Sequence, residues 1–529
     1  MLQDLVGCYL SSSRRAPLRR TRVGLISFLV LLASWGNAQE AWPLRERVLG
    51  YVREHETALL QEFVALLALP NLASDGPGIR KNADAIKRLL EARGVATRLL
   101  DGEGGPPVVY GELSVGATKT VVIYAHYDGQ PVEPERWASP PWTPVLRDGT
   151  LKPGVRTLDL ASLNGPLDPE WRIFARSASD DKAPILAIPA ALDALNALGA
   201  KPSVNLKLFF EGEEEAGSPH IAAVLAKNRE LLRADAWLLC DGPVHQSRRP
   251  QLVFGARGVT DVEITVYGPS RAIHSGHYGN WAPNPAVTLA HLVAGLRNPD
   301  GRITIVGFYD DVHPVTPAEY EALAAVPDVD AALRDELALA ATEARGARLV
   351  ERLMLPALNL RGLSSGAVGA KAQNAIPTEA RASIDFRLVP DQTPKRVRER
   401  FEAHLRALGY HVVHAEPTLD ERRSTPRLVR LEWGPGYPAG RTQLDLPFSR
   451  RLLAVVSEGL PEPVIALPTL GGSVPMQVFI ETFGVPVVLL PIANHDNSQH
   501  APDENLRLRN LWDGIATFAV VISDLGNAW

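Results

Sequence analysis

A cluster of carboxylates follows a strand-like stretch near the middle of the chain. Residues 204–210 are mostly apolar and β-prone, and Glu211, Glu213, Glu214 and Glu215 follow them. Ligands bind at the carboxyl ends of strands in open α/β sheets. Adjacent carboxylates repel one another unless a cation lies between them or one takes up a proton. The pattern therefore favours a cation site at the end of a buried strand over a solvated acidic loop.

Metal-ligand residue types recur where other predicted elements meet loops, at His126, Asp128, Asp180 and Asp241. The apolar run Val121–Ala125 is continuous, which indicates a strand buried on both faces, and His126 follows it directly. Side-chain alternation places His126 and Asp128 on the same side of the chain. A neutral imidazole binds a metal ion while a neighbouring carboxylate orients it through the second ring nitrogen. We therefore interpret His126 as a candidate ligand.

These sites are separated mostly by helical patterns, as in a parallel sheet whose strands end at one edge. Further along, Val259–Tyr267 and Glu379–Leu388 alternate between apolar and polar residues, as in a sheet with one solvated face. We therefore predict an α/β catalytic domain with a mainly parallel central sheet flanked by helices, formed by residues 39–255 and 438–529. An α+β lid and dimerisation domain, residues 256–437, interrupts it.

Three segments carry more local predictions. Residues 133–172 are rich in proline, tryptophan and glycine, which predicts irregular structure. The residues from Ser218 to Leu232 predict one helix, and those from Pro317 to Leu353 predict a polar helical stretch.

The first 38 residues have the composition of a secretory signal. Several arginines precede a short apolar run, Val23–Trp35, which is followed by Gly36, Asn37 and Ala38. A basic segment, an apolar segment and small residues at a cleavage site are the parts of a signal peptide. We predict cleavage near Ala38 and an exported protein, periplasmic or secreted. The alternative is an uncleaved anchor, although the apolar run is short for a membrane span.

Composition excludes several classes of protein. Of the 529 residues, 46% are hydrophobic and 22% charged, which is typical of globular chains with about two or three domains. The net charge of −5 and the absence of a basic patch argue against a nucleic-acid partner. Cys8 lies in the predicted signal and Cys240 is the other cysteine, so a disulfide framework is excluded. Cys240 is interpreted as a buried small hydrophobe.

The candidate ligands indicate the kind of metal. Histidines and several carboxylates, with no cysteine among them, suit zinc or another divalent ion of borderline hardness. More than three acidic ligands at one place indicate two metal ions, roughly 3.5–4 Å apart. One acid beside a ligand would then be free to act as a base.

Six motifs, occurring in order, resemble those of the dinuclear zinc metallopeptidase family of carnosine dipeptidases, glutamate carboxypeptidases, succinyl-diaminopimelate desuccinylases and aminoacylases. The motifs are His126-Tyr127-Asp128, Ser179-Asp180-Asp181-Lys182, Glu214-Glu215-Ala216-Gly217-Ser218, Cys240-Asp241, His274-Ser275-Gly276 and Gln499-His500-Ala501-Pro502. The resemblance covers essentially the whole mature chain. It is closest to the dipeptidase branch, through Phe308-Tyr309-Asp310-Asp311-Val312, Phe386-Arg387-Leu388-Val389-Pro390 and Gly471-Gly472-Ser473-Val474-Pro475.

The resemblance implies a zinc-exopeptidase-like catalytic domain with two divalent metal ions. Zinc is the first choice, with manganese or cobalt as alternatives. Five ligands are implied: Asp180 as the bridge, His126 and Asp241 at one ion, and Glu215 and His500 at the other. His495 is the alternative to His500, but it lacks the Ala-Pro context. A cis peptide bond after Asp180 is also implied.

The resemblance assigns the remaining roles as well. It makes Glu214 the general base and Asp128 the carboxylate that steers His126. Arg387 on the lid would bind the substrate carboxylate, and His274 would stabilise the oxyanion from the other subunit of a homodimer. Gly472 and Ser473 would form part of the substrate-binding surface.

We therefore predict an exported metal-dependent hydrolase that cleaves dipeptides or small peptides with a free carboxylate. A deacylase of N-acyl amino acids is the alternative within the family, since both reactions need an amide next to a carboxylate. A non-catalytic binding protein on the same scaffold is the alternative from another class. Such a protein would be expected to have lost Glu214 or some ligands, and none is missing from the sequence.

Overall fold

The computed structural model describes residues 43–163, 165–343, 346–527 and 529. Over these residues, a central eight-stranded sheet has the spatial order Ala96–Gly102, Gly105–Leu113, Asn205–Glu211, Thr120–His126, Ala236–Leu239, Val487–Leu489, Gln251–Val253 and Ile465–Leu467. The third to sixth strands in this order pair in parallel, whereas the first three pair antiparallel. The predicted α/β class is confirmed, and the sheet is mixed with a parallel centre.

Both faces of the central sheet are buried, because successive residues of its strands enter two different cores. Val121, Ile123 and Ala125 belong to one core, while Val122 and Tyr124 belong to the other. The first core is closed by the helices Leu44–Leu67, Gly76–Glu91, Lys182–Ala197, Pro447–Ser457 and Leu508–Asp524. The second is closed by the helices Ile221–Lys227 and Met476–Phe483.

The insert has a sheet of its own, the lid sheet, with strands in the order Ala357–Ser364, Glu379–Leu388, Gly258–Tyr267, Leu428–Tyr437 and His411–Val413. Its apolar face packs against the helices Pro285–Ala294 and Pro394–Ala407. The opposite face carries Asp261 and Glu263, which both pair with Arg361. Shorter elements of the insert are Ile273–His274, Ser275–Tyr278, Pro317–Ala325, Asp330–Glu336, Leu349–Arg352, Ala375–Ile376 and Leu419–Ser424.

The segment 133–172, predicted to be irregular, is mostly so over its described residues, but it contains two short strands and the start of a third. Val145–Arg147, Thr157–Leu158 and Arg172–Phe174 join Asn505–Arg507 in a four-stranded antiparallel sheet. Strands of two or three residues are too short to show the alternation of apolar and polar residues that marks a strand in a sequence. The pairing of Arg172–Phe174 with Asn505–Arg507, more than 300 residues away, also leaves no sign in the local sequence. The prediction missed these strands because pairing in the fold, rather than a local pattern, makes them.

Two helix predictions were too long. The helix expected from Ser218 to Leu232 spans only Ile221–Lys227, and both the backbone and side-chain amides of Asn228 then donate to the carbonyl of Val224. The stretch from Pro317 to Leu353 is broken into three short helices. Pro327 lies in the first break, where a proline disfavours helical continuation.

The chain enters and leaves the insert side by side, where Gly255–Ala256 pairs with Gly440–Arg441. The central sheet takes strands from both sides of the insert, and the lid sheet lies wholly within it. The predicted signal, residues 1–38, lies outside the described residues. Among the described residues, no helix combines the length and apolarity that crossing a membrane requires.

Candidate metal centre

The five candidate ligands form two groups that share one residue. His126, Asp180 and Asp241 present ligand atoms within 4.8 Å of one another. Asp180, Glu215 and His500 form a second group within the same limit. The parallel strands Thr120–His126, Asn205–Glu211 and Ala236–Leu239 end at one edge of the central sheet, and His126, Glu215 and Asp241 lie at these ends.

Asp180 lies between two histidines. Its Oδ1 is 3.0 Å from Nε2 of His126, and its Oδ2 is 3.0 Å from Nε2 of His500. Nε2 of His500 is also 3.4 Å from Oε2 of Glu215. The peptide bond between Asp180 and Asp181 is cis, as the resemblance implies. A carboxylate whose two oxygens face different imidazoles has the arrangement of a bridging ligand.

The chemistry of these side chains fits divalent metal ions. Burial, followed by the charge of Asp180, raises the pKa of Glu215 to about 7 and that of Asp241 to about 6. Carboxylates that raise one another's pKa in a buried cluster are stabilised by a cation placed among them. Two imidazoles and three carboxylates are also a suitable donor set for zinc. The described residues therefore fit two divalent ions sharing Asp180.

Asp128 is fully buried and connects the imidazole of His126 to the acidic turn. Its Oδ1 lies 3.4 Å from Nδ1 of His126. The same carboxylate accepts backbone hydrogen bonds of 3.1 Å from both Glu214 and Glu215. Asp128 thus orients the turn that carries a candidate ligand and the candidate base, a contact that sequence reasoning missed.

Glu214 lies among the candidate ligands without belonging to either ligand group. Burial raises the pKa of its carboxyl group; the charge of His126 opposes the shift and that of Asp241 adds to it. Glu214 and Asp241 line one small cavity together with Tyr124, whose hydroxyl donates a 2.7 Å hydrogen bond to Glu211. A buried carboxyl group with a raised pKa is suited to accepting a proton near neutral pH.

Arg387 and Ser473 are brought together, since Nη1 of Arg387 donates a 2.9 Å hydrogen bond to Oγ of Ser473. Asp385 accepts from Nε of the same guanidinium, which stays 34% exposed. Arg387 and Tyr437 both pair with Val259 in the lid sheet, one on each side. Gly472 lies next to Ser473 and is exposed.

Tyr437 was not predicted as a site residue. Burial, followed by the charge of Glu214, raises its pKa to about 12, and it hydrogen-bonds with Ser473. A tyrosine at the end of an alternating strand gave no signal in the sequence. Its place near Arg387 follows from the register of the lid sheet, in which Val259 lies between the two residues.

The structure of one chain does not bring His274 to the metal ligands. This residue pairs with Ala375, is exposed, and accepts a 3.1 Å hydrogen bond from the backbone of Gly276. Its ring centroid lies 4.5 Å from that of His277, and the two ring planes are tilted by 38°. An oxyanion role for His274 therefore stays a prediction that depends on a second subunit. His495, the alternative to His500, belongs to neither ligand group.

Glu504 is a further residue that the sequence did not reveal. Its carboxylate is fully buried and accepts five hydrogen bonds, from Nη1 of Arg176, the backbone amides of Ser177, Ser179 and Asp180, and Oγ of Ser179. These bonds fix the loop that presents Asp180. An acidic residue in a polar loop is usually solvated, and only its position shortly after His500 hinted at another role.

Comparisons with known proteins identify related sequences. The sequence profile of peptidase family M20/M25/M40 matches residues 122–524. A Cys-Gly metallodipeptidase of Schizosaccharomyces pombe is 27% identical over 451 residues, 83% of this chain and 87% of that protein. Human Beta-Ala-His dipeptidase is 24% identical over 547 residues, 96% of this chain and 98% of that protein.

Two solved structures are similar over most of the chain. The M20 family metallo-carboxypeptidase Sso-CP2 from Sulfolobus solfataricus has a TM-score of 0.71 at 27% identity, covering 88% of this chain and 99% of its own. Human carnosine dipeptidase 1 shares the fold at 22% identity, with a TM-score of 0.70 over 92% of this chain and 100% of its own.

Proposed function

The chain belongs to peptidase family M20/M25/M40. We propose that it is a dipeptidase that requires two divalent metal ions, with zinc as the first choice. The observation that carries this proposal is the pair of ligand groups sharing Asp180, with Glu214 beside them. The relatives, a Cys-Gly metallodipeptidase and a Beta-Ala-His dipeptidase, support a dipeptide substrate.

His126, Asp180, Glu215, Asp241 and His500 would hold the two ions. When bound, the ions supply Lewis acidity that activates water and polarises the carbonyl of the scissile amide. The carboxylate of Glu214 takes a proton from the attacking water and later delivers a proton to the leaving amine. Asp128 keeps Glu214 in place because it accepts the backbone hydrogen bond of this residue.

Substrate recognition is proposed for the junction of lid and catalytic domain. Arg387 offers a partly exposed guanidinium beside Ser473 and Tyr437. A guanidinium binds a carboxylate with two parallel hydrogen bonds, which fixes position as well as charge. We propose that Arg387, with Gly472 and Ser473, binds the free carboxylate of the substrate.

Export and assembly are part of the proposal. Export rests on the composition of residues 1–38 alone. Homodimerisation through the lid is supported by the edge strand Ala357–Ser364, in which Leu360 and Leu363 are 42% and 56% exposed. An exposed sheet edge with apolar side chains pairs readily with a second chain.

One chromatographic screen tests the proposed function. The purified chain is incubated with a panel of dipeptides and of N-acetyl amino acids, before and after metal removal by a chelator. Dipeptide hydrolysis that disappears with the chelator and returns with zinc is the expected result. Hydrolysis of the N-acetyl amino acids alone would make the chain a deacylase, and hydrolysis that persists without metal would overturn the proposal.

A further inference from the structure

A second cavity, with a volume of about 440 Å³, is lined by the loops that carry two candidate metal ligands. Pro243 lies shortly after Asp241, and His495 lies shortly before His500. We call it the side cavity, and its walls include Val244, Gln251, Leu333, Leu353, Leu470 and His495. Its volume is within the range of about 300–1,000 Å³ found for small-molecule sites.

The side cavity also borders the surface proposed to bind the substrate carboxylate. Leu470 and Gly471 line it, and the chain continues directly into Gly472 and Ser473. Ser473 accepts the hydrogen bond of Arg387. The wall of the side cavity is therefore two residues in sequence from the hydrogen-bond partner of Arg387.

The wall of the side cavity contains buried polar atoms without a partner. Gln251 is only 6% exposed, and its Nε2 donates a 2.8 Å hydrogen bond to the carbonyl of Pro243. Its Oε1 has no hydrogen-bond partner, and neither has Nδ1 of His495. Burying an acceptor without a donor costs free energy, so the free oxygen of Gln251 favours a ligand that carries N–H groups.

The charged side chains that line the side cavity are acidic. Asp330 and Glu336 line it, and no lysine or arginine is among its described lining residues. Within the described chain, the carboxylate of Glu336 has no hydrogen bond or ion pair. Arg249 and Arg348 lie near His245 but are bound elsewhere, to Glu462 and to the carbonyls of Leu323 and Val326.

We propose that the side cavity is a specificity subsite for a long basic side chain, lysine or arginine, on the C-terminal residue of the substrate. This inference rests on the proposed dipeptidase function. The apolar walls match the methylene stem of such a side chain. The N–H groups at its end can bind Oε1 of Gln251, and its positive charge is attracted by Asp330 and Glu336.

Other side chains fit the side cavity less well. A purely apolar side chain would fill the walls but leave Oε1 of Gln251 unpaired and Glu336 without a counter-charge. An acidic side chain would be repelled by both carboxylates. A site built to bond a donor discriminates against analogues that lack it, because its buried polar groups then stay unpaired.

The test compares Ala-Lys, Ala-norleucine and Ala-Glu with the zinc-loaded, full-length protein. Norleucine has the stem of lysine without its charge. We expect kcat/KM for Ala-Lys to exceed that for Ala-norleucine at least about tenfold, with Ala-Glu the poorest of the three. Equal values for Ala-Lys and Ala-norleucine would overturn the inference while leaving the dipeptidase function intact. Failure of all three to be hydrolysed would overturn both.

Variants assign the preference to this cavity. Glu336→Gln should lower the ratio of Ala-Lys to Ala-norleucine about fivefold, and Glu336→Lys should shift the preference towards Ala-Glu. Asp335→Asn, on the same helix but outside the cavity lining, is the matched control and should keep the ratio. A ratio unchanged in both Glu336 variants would contradict the proposal, as would a lysine preference seen with Lys-Ala but not with Ala-Lys.

Discussion

Oε1 of Glu504 accepts a 2.9 Å hydrogen bond from the backbone amide of Asp180, a residue 324 positions earlier in the chain. The bond joins the last loop of the catalytic domain to the residue that two histidines share. Because Glu504 is fully buried, its charge is balanced by the donors of this loop and by Arg176. The position of the proposed bridging ligand is therefore set from the far end of the sequence.

We predict that Glu504→Gln weakens metal binding without removing a ligand. The amide cannot accept all five hydrogen bonds, so the Asp180 loop loses its fixed position, and zinc affinity should fall about 10–100-fold. Competition with a chromophoric chelator measures the affinity, and circular dichroism checks the fold. Glu230→Gln is the control, since this carboxylate is 81% exposed. Unchanged zinc affinity in a folded Glu504→Gln protein would show that the loop carrying Asp180 keeps its position without the carboxylate of Glu504.

Glu214→Gln should lower kcat by about 10²–10⁴-fold, the usual contribution of a positioned general base, while metal content stays near that of the parent protein. Steady-state kinetics and elemental analysis measure the two quantities. Glu213→Gln is the matched control, because Glu213 bonds His220 rather than the candidate ligands. If Glu214→Gln lost its metal together with its activity, Glu214 would be a ligand instead.

The stabilisation given by zinc should grow with pH. Protons compete with metal for Asp241, Glu215 and His500, whose pKa values are raised to about 6, about 7 and about 9. For Asp241 and Glu215 the first cause is burial, and for His500 it is the hydrogen bond with Asp180. The difference in Tm between zinc-loaded and metal-free protein should be small at about pH 5.5 and increase towards about pH 9. A difference that is constant over this range would argue against these ligands.

Subunit mixing tests the role of His274. We expect His274→Ala and Glu214→Gln each to be nearly inactive, since a donor to the oxyanion contributes about 10²–10³-fold to kcat. A mixed dimer has one site with an intact base and an intact incoming histidine, so activity should return on mixing. Light scattering checks that the chain is a dimer. Verified mixed dimers without activity would exclude a contribution from the partner subunit, and a monomer would exclude the dimer itself.

Residues near strand ends were predictable because strand ends are marked in the sequence. The continuous apolar runs before His126 and before Asp241 predicted both the strands and the positions of the candidate ligands. Glu504 and Tyr437 were not predictable in this way. The carboxylate of Glu504 is buried against a loop that is distant in sequence, and Tyr437 is positioned by the register of its strand in the lid sheet. Neither arrangement produces a local sequence pattern.

Other segments also divide into elements that the sequence predicts and elements that it does not. Alternation in Val259–Tyr267 and Glu379–Leu388 predicted a sheet with one solvated face, and these strands pair along their whole length. The short strands near residues 133–174 were missed, since each has only two or three residues and one of them pairs with the distant segment Asn505–Arg507. The local sequence of a long periodic segment is enough to predict its secondary structure. A short strand forms only with pairing partners that the tertiary fold brings to it.

The central strand Val487–Leu489 pairs with Ala236–Leu239, on the other side of the lid insert in sequence. During synthesis, a chain that has just completed the lid already carries His126, Asp180, Glu215 and Asp241. It lacks His500, Glu504 and the strand that completes the centre of the sheet. Pairing between segments so far apart is slow to form and comes late in folding. The nascent chain therefore remains without the complete set of candidate ligands until the segment that carries His500 has left the ribosome.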